Sequence, residues 1–228
     1  MNGKNKRVIS FVLLIVIVIL NVFTLISCAK DREYDEQTVL AEAEKLIKAS
    51  VILNDIYYGQ GIPFIKNEAY ADGVYYMADG VYLDAKGINT VDDIKRMTES
   101  VFSKELSGIM ISSTLSSIYE GEQIKIYSRY YQSYDPLTDE PLSIMVYKDA
   151  KIILEDSIAY DYTTLCVLGS EKQRVYVQID ATVTTKDNKS CTNKLKIALI
   201  EEENGWRLAT PSYTSYVDMD YYNDLQNK

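Results

Sequence analysis

A chain of 228 residues, 47% hydrophobic and 25% charged, has apolar material for one sizeable core and too little for two, so one domain is expected. The formal charge is −9, from 33 acidic and 24 basic residues. Such a body lacks the clustered positive charge that nucleic-acid binding draws on, and no nucleic-acid partner is expected. There is no histidine, which removes Ser-His-Asp and Cys-His nucleophilic machinery and the histidine-bearing zinc sites.

The chain opens with Lys4, Lys6 and Arg7, then runs apolar from Val8 to Ile26, relieved only by Ser10, Asn21 and Thr24, and reaches Leu25-Ile26-Ser27-Cys28. A basic start, an apolar stretch and a small residue before a processing point read as a secretory leader over residues 1–27. The closing tetrapeptide resembles the lipobox of bacterial lipoproteins. That resemblance implies that Cys28 receives a thioether-linked diacylglycerol and becomes the mature N-terminus, a lipid anchor that needs no other cofactor. The alternative is an uncleaved transmembrane helix, since the run approaches the ~20 residues that span a bilayer. Either way residues 29–228 are expected outside the cytoplasm, held to the cell membrane. The leader has three basic and no acidic residues, so its removal takes the charge from −9 to −12. Anionic lipid would repel that body, leaving the acyl chains to hold it.

Residues 28–34 form a short polar tether of at most ~20 Å, and the folded domain is expected over 35–228. Asp35 is placed to cap a helix with apolar positions Val39, Ala43, Leu46, Ser50, Leu53 and Tyr57, widened by Leu40, Ile47 and Ile56. Gly59, Gly61 and Pro63 end it. Ala-Asp-Gly-Val-Tyr then occurs twice, at 71–75 and 78–82. Because Asp-Gly is a turn signal, the echo predicts a hairpin in which Val74–Met77 pairs with Val81–Asp84. Asp72, Asp79 and Asp84 lack the spacing of a calcium loop, so no metal is expected. Thr90-Val91-Asp92-Asp93 predicts a capping box with Asp in the fourth position, and Ser103 caps a further helix through Leu106, Ile109 and Met110.

Beyond residue 118 the hydrophobic period changes to two. Strands are predicted over 124–131, 143–147, 152–168, 175–185, 192–201 and 206–213, joined by loops at Gly169-Ser170-Glu171, Asp187-Asn188-Lys189 and Asn204-Gly205. Helices followed by an antiparallel meander make an α+β fold, N-terminal helices packed on a curved sheet. In that meander Cys166 faces Val177 and Cys191 faces Lys186, on the order of 30 Å apart at ~3.3 Å per residue. Two free thiols, buried or half-buried as small fillers, are expected.

The order of elements and the stretch Asn204-Gly205-Trp206-Arg207-Leu208 resemble the nuclear transport factor 2-like (cystatin-like) cone, in which helices close over a concave sheet. Enzymes of that family often use an Asp-His pair, so the resemblance leaves only carboxylates and tyrosines here for acid-base work, with Asp161 and Asp180 as candidates. A fainter likeness is to secreted inhibitors of peptidoglycan endopeptidases, with Asp135–Glu140 as the projecting loop. No phosphate loop, Walker motif or Cys-x-x-Cys pair is present. Tyrosine is in excess, 20 against 4 Phe and 1 Trp, with doublets at Tyr57-Tyr58, Tyr75-Tyr76, Tyr130-Tyr131 and Tyr221-Tyr222. A ring with an apolar face and a polar tip suits sugars, peptides and protein surfaces. Tyr58, Tyr76, Tyr130 and Tyr160 are the predicted ligand-binding residues of a non-enzymatic module for an envelope protein, peptide or glycan.

Overall fold

The computed structural model describes residues 34–70, 73–120, 123–154 and 156–213. The leader, Cys28 and the Tyr221-Tyr222 doublet lie outside the described residues. The fold is α+β. Helix α1 (Glu36–Tyr58) begins at Asp35, whose carboxylate accepts the Thr38 N–H at 3.0 Å. All six predicted stripe positions, Val39 to Tyr57, are buried. This stripe lies on the inner face of a four-stranded antiparallel meander: β7 (Ser157–Glu171), β8 (Arg174–Thr184), β9 (Ser190–Glu202) and β10 (Gly205–Leu208), in the order β10-β9-β8-β7. Val175, Val177, Ile179 and Ala181 point inward from β8, and Leu195, Ile197 and Leu199 from β9. The period-two alternation on β8 is the one the sequence predicts.

The other sheet has the order β1-β2-β6-β5, from β1 (Phe64–Tyr70), β2 (Tyr75–Ala78), β6 (Pro141–Tyr147) and β5 (Tyr130–Tyr134). Here the expected hairpin is overturned. β2 pairs with β1 and β6, while residues 80–86 form helix α2 (Gly80–Lys86). Asp79 decides it, since its carboxylate accepts the Val81 and Tyr82 N–H groups as an N-cap. Gly87, with φ 65°, ends the helix in the left-handed conformation. The same Asp-Gly pair therefore starts a helix where the sequence suggests a hairpin turn.

Helices α3 (Val91–Val101) and α4 (Lys104–Leu115) start where predicted. Thr90 and Asp93 form the reciprocal capping box, and the Ser103 hydroxyl accepts the Leu106 N–H at 3.3 Å. The strand expected over 124–131 is two strands. β4 (Gln123–Ile126) pairs with β3 (Ile118–Glu120), whereas β5 joins the other sheet. The strand expected from residue 152 starts at Ser157, because the Ile153 and Leu154 N–H groups donate to the Tyr58 carbonyl at the end of α1. It then continues through Glu171, opposite Arg174, so the turn is Lys172-Gln173 and not Gly169-Ser170-Glu171.

Cys166 pairs with Gln178, not Val177, and Cys191 with Val183, not Lys186. Irregularities in β7 between Asp161 and Cys166 and between Val167 and Gly169 move the register at Cys166, whereas β8 and β9 pair without a break around the turn that sets the place of Cys191. Both thiols are free as expected, but both are exposed where burial was expected. Cys166 shares the outer face with Gln178, while Cys191 is on the row of Leu195 and Ile197 but at the loop end of β9, where residues 190–194 are all exposed.

Candidate functional site

The four predicted tyrosines do not form one site. Tyr130 is a core residue with no exposure. Its hydroxyl donates to the Ile56 carbonyl at 2.9 Å and accepts the Ile62 N–H at 3.1 Å and the Arg129 Nε–H at 3.1 Å. Arg129, 7% exposed, donates through Nη1 to the Tyr57 carbonyl at 3.0 Å and through Nη2 to the Gly59 carbonyl at 2.5 Å. The buried guanidinium thereby finds acceptors in the orphan carbonyls at the negative end of α1, which partly offsets its charge. Gly61 passes so close that a Cβ there would stand 2.3 Å from the Tyr130 hydroxyl. Tyr76 is half-buried beside Phe64, with ring centroids 5.1 Å apart, on the β1-β2-β6-β5 sheet.

Tyr58 and Tyr160 reach the same segment, Ser212-Tyr213. Tyr58 is buried with its ring 5.1 Å from that of Tyr213, and the Tyr160 hydroxyl donates to the Ser212 carbonyl at 2.9 Å. Burial raises the Tyr160 phenol to about 12, its hydrogen bond to Ser212 working the other way. Beside them opens a groove of about 210 Å³, lined by Val51, Asn54, Asp55, Leu154, Asp156, Ser157, Ile158, Tyr160 and Tyr213. Asn54, which the sequence reading passed over, lies at its floor, 3% exposed.

The tyrosines that do cluster are Tyr75 and Tyr131, the other members of two doublets, together with Tyr70, Tyr127 and Tyr147. On β2 and β5 neighbouring residues face opposite ways. Tyr76, Val146 and Tyr130 form one row across the sheet, while Tyr75 pairs with Tyr147 and Tyr131 with Met145 on the opposite face. There the Tyr75 ring stands 4.9 Å from Tyr131, 5.9 Å from Tyr127 and 5.8 Å from Tyr147. Tyr127 and Tyr147 are stacked at 5.1 Å, and Tyr70 lies 6.2 Å from Tyr131. Tyr75 is buried, its hydroxyl donating to the Ser128 carbonyl at 2.9 Å, whereas Tyr127, Tyr131 and Tyr147 are half-buried and Tyr70 is 55% exposed. At the β5 edge a wider groove of about 480 Å³ runs between Tyr131, Gln132 and Tyr134 and the start of α3 at Thr90, Asp92 and Lys95.

The carboxylate candidates are adjacent but lie elsewhere. Asp161 and Asp180 are cross-strand partners on β7 and β8. Asp161 is exposed, and its Oδ1 accepts the Thr163 N–H at 3.0 Å and hydroxyl at 2.6 Å. Among the described residues no cluster of acidic or thiol groups could hold a metal ion, and no helix is long and apolar enough to cross a membrane. The Asp135–Glu140 loop joins β5 to β6, with Leu137 at its tip 93% exposed and Asp135 Oδ1 accepting the Leu137 and Thr138 N–H groups. Compared with protein-family models and with curated proteins, the chain has no match.

Proposed function

We propose that this chain is a lipid-anchored, extracytoplasmic interaction module, non-enzymatic, that presents the tyrosine face of its β1-β2-β6-β5 sheet to a component of the cell envelope. The observation that carries the reading is the five-ring cluster of Tyr70, Tyr75, Tyr127, Tyr131 and Tyr147. Rings that already pack on one another lose little freedom when a partner covers them, so the contact area costs little entropy. Their half-exposed edges offer an apolar surface bordered by hydroxyls, which suits a sugar ring or a peptide. The leader ending at Cys28 supports the location, with a tether that keeps the domain close to its bilayer.

One experiment tests both parts. Cells making the full chain are fed a tagged fatty acid, the membranes are solubilised in neutral detergent, and the protein is captured with whatever it holds. The wild-type chain carries the tag and retains a defined envelope component. Tyr70→Ser with Tyr147→Ser keeps the tag and the circular dichroism spectrum but holds that component about tenfold less well, the loss typical of central aromatic contacts. Cys28→Ala loses the tag. Unchanged capture by the tyrosine variant removes this face from the reading, and a tag that survives Cys28→Ala removes the anchor.

A further inference from the structure

The groove at the end of α1 is separate from the tyrosine face and has a different lining. Val51, Leu154 and Ile158 supply apolar wall, while Asp55, Asp156 and Asn54 supply oxygen acceptors. Neither carboxylate is in an ion pair with a cation among the described residues. Asn54 is the unusual member: it is 97% buried and its Oδ1 has no hydrogen-bond partner. Leaving a buried amide oxygen unpaired costs about 1–3 kcal/mol, so such an atom calls for a donor.

The orientation of that amide follows from its neighbours. The Ser50 hydroxyl donates to the Ile47 carbonyl at 2.7 Å, so in its 2.6 Å contact with Ser212 it accepts. The Ser212 hydroxyl therefore gives its proton to Ser50 and accepts from Asn54 Nδ2 at 2.7 Å. With each hydroxyl proton used once, the amide nitrogen is committed to this relay and the oxygen is left on the other side.

We propose that this groove binds a primary ammonium group on a short alkyl stem. The Asn54 Oδ1 accepts one N–H, Asp55 and Asp156 balance the charge, and Val51, Leu154 and Ile158 cover the methylenes. About 210 Å³ is below the ~300–1,000 Å³ of sites for drug-sized ligands, so the occupant is one small group. A lysine side chain of a partner and a free alkylamine share this chemistry.

The test uses the full chain in neutral detergent, titrated with putrescine, N-acetyl-lysine methylamide, pentanol and pentanoate while the side-chain amide resonance of Asn54 is followed by NMR. Both amines are expected to shift it saturably at millimolar concentration, with pentanol about tenfold weaker, the worth of a charged over a neutral hydrogen bond. Asp156→Asn, a change at a partly exposed residue that leaves the fold intact, weakens the amines severalfold and leaves pentanol unchanged. Tighter binding of the lysine derivative than of putrescine supports a protein source for the group, and the reverse supports a free amine. No saturable shift with either amine overturns the proposal. So does pentanol binding equal to the amines, which would mark an apolar cleft only, or preference for pentanoate, which would mean the amide is reversed. None of these results bears on the tyrosine face, whose variants are assayed separately.

Discussion

Arg129 is the residue on which two parts of the fold meet. It stands just before β5, yet its guanidinium reaches the carbonyls of Tyr57 and Gly59 on the far side of the core, with the Tyr130 hydroxyl bridging to Ile56. An arginine between serine and tyrosine in a strand-like stretch reads as a surface residue, because long charged side chains are almost never fully buried unless paired. Here the pairing is with backbone, which no carboxylate in the sequence announces. Replacing it by a side chain of similar length without charge leaves buried carbonyls short of donors. Arg129→Met is expected to lower stability by about 3 kcal/mol, read as a fall in the urea midpoint with the slope unchanged. An unchanged midpoint would mean that water or Tyr130 alone satisfies the end of α1.

At the scale of elements, the helix starts were the most legible features. Asp35, Thr90 and Ser103 each cap the helix expected of them, since an N-cap acts on backbone only two or three residues away. In the capping box of α3, burial disfavours the Asp93 carboxylate charge. The N–H groups of Asn89 and Thr90, the Thr90 hydroxyl and Arg96 outweigh that effect and hold its pKa below the usual value. Thr90→Ala is expected to cost about 1 kcal/mol, seen as a lower thermal midpoint, and an unaltered transition would show that Asp93 caps α3 alone. The echo was misread for the same local reason. Asp79 can serve a turn or a helix start, and what excludes residues 81–84 from the sheet is that β1 and β6 already occupy both edges of β2. Val81, 81% exposed, shows a strand-forming residue left outside any strand. The predicted strand over 124–131 failed likewise, because a period of two does not say that a chain changes sheets at Ser128-Arg129.

For the whole molecule, the tyrosine excess becomes a property of the fold as well as of its surface. Burial raises the phenols of Tyr57, Tyr75, Tyr130, Tyr131 and Tyr160, which lie on α1 and on both four-stranded sheets. Tyr160 titrates at about 12 folded against 10.0 for the free side chain. Between those values the unfolded chain has released a proton that the native state keeps, so stability falls as pH rises. The contribution is fully present below about pH 10 and disappears as pH climbs through about 12, at about 1.4 kcal/mol per pH unit for each such phenol. Tyrosinate absorbance is therefore expected to lag in the folded protein and then rise together with loss of the circular dichroism signal. Gradual ionisation near pH 10 with the fold intact would show that the rings are open to water.

What the sequence by itself determined was local or periodic: the caps, the buried stripe of α1 and the alternation of β8. Each rests on interactions within a few residues, or on a repeat that one buried face imposes. Only the tertiary structure decided which rings of Tyr75-Tyr76 and Tyr130-Tyr131 share the core side of their sheet, that Arg129 spans to the end of α1, and that Asn54 lines a groove with its oxygen unpaired. Those outcomes depend on partners 70 or more residues away in the chain, such as Arg129 with Gly59 and Asn54 with Ser212. Nothing in a residue's own neighbourhood encodes what will pack against it.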